Sequence, residues 1–140
     1  MNRLTLEQAN QIIGAALAIA REKKYRPMAM VVLDEGGHLI AFQREDGASM
    51  FRFDVARGKA WAAVALGASS RVLGERAREN PTFYGALPAT AEGKFLAQTG
   101  AVVIRALGDL IGAVGASGGT GDEDEAICLA GVIAAGLQST

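Results

Sequence analysis

Residues 31–40, Val31-Val32-Leu33-Asp34-Glu35-Gly36-Gly37-His38-Leu39-Ile40, read as two short apolar runs joined by a turn. Gly36 and Gly37 supply the backbone freedom of a tight hairpin connection. A shift of 71 positions lays Val31-Val32-Leu33 on Val102-Val103-Ile104, Gly37 on Gly108, Leu39-Ile40 on Leu110-Ile111 and Gly47 on Gly118. The hairpin is therefore written twice. Strand, turn glycine and strand agreeing at one offset is the pattern that two antiparallel hairpins in a common sheet require. The run Met28 to Leu33 is apolar on both faces, as in a strand covered by helices above and below.

Working outward, Thr5 and Gln8 have the spacing of a capping box, and Ala9, Ile12, Ile13, Ala16, Leu17 and Ala20 form one apolar stripe behind it. That helix ends in the charged run Arg21 to Lys24 before Pro27. Ser49 is placed to cap a second helix of about eighteen residues that carries Phe53, Ala60, Trp61, Val64 and Ala65. Arg71 to Glu79 is a weaker helical stretch stopped at Asn80-Pro81. Pro81 to Glu92 reads as an irregular loop and Lys94 to Gln98 as a short strand. Thr120 and Glu123 repeat the capping box at the head of a last helix through Ile127, Leu129, Val132, Ile133 and Leu137. The sum is an α/β (α+β) domain spanning 1–140, with about five mostly antiparallel strands and helices on the faces.

Composition narrows the function classes. Half of the residues are hydrophobic and 21% charged, which is globular rather than disordered. Fourteen basic residues against fifteen acidic ones leave a net charge of -1 and no electrostatic footprint for nucleic acid or anionic membrane. One cysteine, Cys128, excludes an intramolecular disulfide, and no Cys/His cluster offers a zinc site. With no apolar leader or membrane-length run, the chain reads as cytoplasmic. Cys128 falls on the core-facing side of the last helix and reads as an inert small apolar group.

Four segments together, VVLDEGGHLIAFQREDGA, VARGKAWAAVALG, NPTFYGALPAT and GDLIGAVGASGGTGDEDEAICLAGV, resemble the GlcG/HbpS family, which includes the C-terminal domain of PduO-type proteins. The resemblance implies a profilin-like antiparallel sheet flanked by helices and a homo-oligomer, often an octamer. It also implies heme binding in some members, whereas others belong to glycolate or aromatic catabolism, and some are credited with turnover of small unsaturated acids. Heme or a related planar molecule is the first expectation for a ligand. An enzyme acting on a small unsaturated or hydroxy organic acid is the second, and an accessory oligomer without a ligand the third.

Few residues carry chemistry. His38 is the only histidine, at the start of the second hairpin strand. It is a candidate heme ligand or proton carrier, and equally a solvent-facing turn residue. The alternatives for iron are a threonine or tyrosine oxygen, or a group across a subunit interface. Arg52 and Lys59 stand two turns apart on one side of the second helix, where two cations can hold a carboxylate or a heme propionate, or serve a subunit-bridging face. In an enzyme, Lys59 and Arg52 would hold the carboxylate while His38, Asp46 or Glu45 moves a proton. Phe83 and Tyr84 can close over a planar ligand or pack between subunits. Asp122 to Glu125 complement the dipole of the last helix and argue against phosphate at Ser117-Gly118-Gly119-Thr120.

Overall fold

The computed structural model describes residues 2–139. The doubled hairpin is present: β1 (Ala29–Asp34) with β2 (Leu39–Arg44), and β3 (Ala101–Ala106) with β4 (Asp109–Ser117). Both pairs are antiparallel, and β1 also pairs antiparallel with β4, giving one sheet in the order β2-β1-β4-β3. Gly37 and Gly108 hold nearly the same left-handed backbone, with φ of 82° and 87°, so the offset in sequence is an offset in conformation as well. The sheet has four strands, not five. Lys94 to Gln98 does not join it, because the N–H of Leu96 donates to the carbonyl of Gly58 on a helix instead of a strand.

Helices cover both faces. α1 (Leu6–Glu22) and α5 (Gly121–Ala134) lie on one, where Ile12, Ile13, Ile127 and Val132 close over Met30, Val32 and Val114. α2 (Phe51–Leu66) lies on the other, with Ala56, Ala60 and Ala63 against Val31, Leu33, Val103 and Ala113. Residues Ala29 to Leu33 are fully buried, each large side chain contributing about 1.5–3 kcal/mol of burial. Both capping boxes form: the N–H of Gln8 donates to Thr5 Oγ1 and that of Glu123 to Thr120 Oγ1. Ser49 does not cap α2. That helix starts after Met50, without a side-chain cap, and runs 16 residues.

The segment expected to be an irregular loop is helical. α3 (Ser70–Glu79) is followed directly by α4 (Pro81–Thr90). Proline is compatible with a first helical turn, where its missing N–H has no partner to lose, and Pro88 comes only two residues before the end. Tyr84, Leu87 and Ala91, at helical spacing, pack onto Leu73 and Phe95.

The register fixes which end of the sheet each loop occupies. Asp34 lies opposite Gly112 and Ala29 opposite Ser117, so the 34–38 and 106–109 turns share one end. All four connections between strand and helix gather at the other. α2 lies close on β4, and a Cβ at Gly115 would overlap the carbonyl oxygen of Ala56. Gly115→Val is expected to lower stability by about 1–3 kcal/mol or more, read as a fall in the urea midpoint.

Candidate functional site

Lys59 faces inward from α2 and is 5% exposed. Its Nζ donates to the carbonyl of Ala116 at the end of β4 and to Asp124 Oδ2 on α5, both at 3.0 Å. Asp124 Oδ1 in turn accepts the Gly119 N–H at 3.0 Å. Gly100 leaves room for the ammonium, since a Cβ there would stand 2.5 Å from Nζ. The carboxylate beside Lys59 is therefore the protein's own. Desolvation pushes the Asp124 carboxyl above its ordinary value, against the attraction of Lys59 and the Gly119 N–H.

Asp124 is the residue that sequence reasoning missed, having been read only as one of four acids complementing a dipole. The signal was its spacing: it stands four residues before Cys128, on the same side of α5. Cys128 is buried as expected, with Sγ 3.7 Å from the Gly100 carbonyl, and burial pushes its thiol far up. The neighbouring acids divide differently. Asp122 and Glu125 pair with Arg71 of α3, whose guanidinium they hold above its ordinary range.

Arg52 reaches the same end of β4, its Nη1 donating to Ser117 Oγ at 3.3 Å. His38 does not join them. Its ring is 81% exposed at the β1–β2 turn, with Nδ1 3.3 Å from Asp34 Oδ1. Met30 opposite Ala116 and Asp34 opposite Gly112 are four steps apart, about 13 Å along the strand. Within one chain the imidazole and the ammonium therefore occupy opposite ends of the sheet.

Beside the outer face of α2 lies a largely apolar cleft of about 290 Å³, walled by Phe51, Val55, Pro88, Phe95 and Leu96, with Asp54 at its rim. Gly58 lets the helix approach the 94–96 segment, where a Cβ would meet Leu96 Cβ at 3.0 Å. Tyr84 supports this wall from behind, its ring centroid 6.3 Å from that of Phe95, and Phe83 stacks edge-on against Tyr84 at 5.4 Å. The cleft is at the lower end of small-molecule sites. Its walls fit the edge of a planar apolar ligand, but no imidazole of the same chain is there. Trp61, beside the Gly37 turn, is ten residues and about 15 Å along α2 from Phe51. Among the described residues no group of three or more His, Cys, Asp or Glu is placed to hold a metal ion.

Comparison with known proteins agrees with this architecture. The family described as "Haem degrading protein HbpS-like" matches residues 4–133, and the chain belongs to that family. It is 31% identical over 121 residues to an uncharacterized 15.0 kDa protein from the dhaT-dhaS intergenic region of Citrobacter freundii, covering 86% of this chain and 84% of that protein. It is 27% identical to the corrinoid adenosyltransferase PduO of the same organism, but spans only 36% of that longer protein. Among solved structures, a PduOC:heme complex superposes with a TM-score of 0.89 at 25% identity, covering 99% of both chains. A double-mutant form of Streptomyces reticuli HbpS superposes at 0.84 with 29% identity, covering 95% of this chain and 87% of that one. The described helices include none long and apolar enough to cross a membrane.

Two consequences follow from the Lys59–Asp124 pair. Lys59→Ala or Asp124→Leu leaves one charge buried alone and is expected to cost about 3–5 kcal/mol, much of it recovered in a Lys59→Met/Asp124→Leu double variant, by urea unfolding. The Asp124 carboxyl binds its proton more tightly folded than unfolded, so its contribution to stability grows as pH falls through its raised folded value. Wild type should gain stability relative to Asp124→Asn as pH is lowered from neutral toward 4, and a constant difference across that range would contradict the shift.

Proposed function

We propose that this protein binds heme or a related planar ligand as a homo-oligomer, with the apolar cleft between α2 and α4 receiving one edge of the macrocycle. The observation that supports this most is the likeness, across 99% of both chains, to a domain solved in complex with heme. Locally, Phe51 and Val55 offer an apolar wall backed by Phe95 and the Tyr84–Phe83 pair. Met50, Phe51 and Phe83 are more than half exposed, as a surface covered by another copy would be.

The iron ligand in this reading is His38 of a neighbouring copy, because the only imidazole of the chain lies at the far end of its own sheet. Bound heme would supply redox chemistry at its iron. The chain's own Phe51, Val55, Phe95 and Leu96 would pack against the edge of the ring.

Hemin titrated into the full chain should give a saturable shift of the Soret band, and Val55→Asp should weaken binding at least roughly tenfold. His38→Ala should change the position of the bound band. An unshifted Soret band at stoichiometric protein would overturn the proposal, and an unchanged spectrum in His38→Ala would move the ligand to an oxygen donor.

A further inference from the structure

A second site lies where the helix connections meet. Two cavities, of about 410 and 200 Å³, adjoin at Pro27. The larger is lined by Arg21, Arg44, Glu45 and Asp46, and the smaller by Arg26 and Arg52 with Ser49 and Gly118. Four guanidinium groups thus face two carboxylates, in a chain whose overall charge is -1.

The charges are not equally engaged. Arg21 and Glu45 satisfy each other: Nε is 2.8 Å from Oε2, Arg21 Nη2 also donates to the carbonyls of Tyr25 and Arg26, and Glu45 Oε1 accepts the Met28 N–H. This pair is structural, tying the end of α1 to the start of β1. Arg26 and Arg44 make no ion pair or side-chain hydrogen bond among the described residues, and Arg52 donates only to the neutral hydroxyl of Ser117. Three uncompensated guanidinium groups against Asp46 leave the groove with a charge of about +2.

Clustering like charges without a partner costs free energy that a bound anion would recover. Guanidinium forks match carboxylates and phosphates with two parallel hydrogen bonds. The distribution of the cations selects between those anions. Arg26 and Arg52 line one cavity and Arg44 the other, with Pro27 between, so positive charge is presented at two places along an elongated groove. A compact anion would engage one cavity and leave the other cation unanswered.

We propose that this groove binds a small organic dicarboxylate, one carboxylate held by Arg26 and Arg52 and the other by Arg44. The apolar face of Pro27 lies under the connecting carbons, and Asp46 limits affinity by repulsion. The site is separate from the apolar cleft on the outer face of α2, so it stands whether or not hemin binds there.

Isothermal titration of the full chain at low ionic strength, with glutarate, butyrate and inorganic phosphate as probes, tests the assignment. Glutarate should bind saturably and at least roughly tenfold more tightly than butyrate or phosphate. Arg26→Gln and Arg44→Gln, both at exposed positions, should each weaken glutarate about tenfold, and Asp46→Asn should tighten it several-fold. Arg78→Gln, on α3 outside the groove, should leave it unchanged. Absence of glutarate binding up to about 10 mM would overturn the proposal. So would affinities in the Arg26 and Arg44 variants equal to that of wild type, and phosphate binding more tightly than glutarate would reject an elongated ligand in favour of a compact one.

Discussion

The contact between Lys59 and Asp124 joins the two faces of the protein. α2 covers one side of the sheet and α5 the other, yet their side chains meet at 3.0 Å past the end of β4. Burying both charges is expensive, and it is tolerated because each has a further partner, the Ala116 carbonyl for the ammonium and the Gly119 N–H for the carboxylate. An apolar pair of the same volume would hold the layers together as firmly. What the ion pair adds is selectivity of position, since sliding α2 or α5 by one turn would strand a charge in the core. Gly100 is part of the same arrangement, because any side chain there would displace the ammonium.

Much of this architecture was legible in the chain, for reasons that differ from element to element. The doubled hairpin could be read because tight turns restrict residue choice and because Val31 to Leu33 and Val102 to Ile104 are buried on both faces. The two capping boxes were legible because they are local, each complete within four residues. α4 was not, since Gly85 and Pro88 are poor helix formers, and what holds the segment helical is tertiary: Tyr84, Leu87 and Ala91 packing on Phe95. Lys94 to Gln98 has strand-like composition, but its backbone finds Gly58 before it finds a strand.

The candidate site was legible in part. The spacing of Arg52 and Lys59 put both on one side of α2, and both reach the end of β4. Their roles were not legible, because the partner that engages Lys59 lies 65 residues away. His38 was singled out for its chemistry alone, and chemistry says nothing about which end of a sheet a turn occupies. That information is in the register, where Asp34 faces Gly112 and Ala29 faces Ser117.

The register also explains why the cavities are where they are. Two hairpins laid side by side with β1 against β4 must turn at the same end, and a tight turn satisfies its own backbone within a few residues, leaving little concave surface. The opposite end receives the chain entering β1 and β3 and leaving β2 and β4, all four on their way to or from helices. Such connections are longer, run over the surface and have to bridge from sheet to helix layer, so hollows form between them. Arg26 comes from the connection between α1 and β1, Arg44 and Arg52 from the two margins of the connection between β2 and α2, and Gly118 of the connection between β4 and α5 lines the same hollow. A basic groove at this end is thus the place where a doubled hairpin leaves room, and its charge follows from the residues that the helix connections happen to carry there.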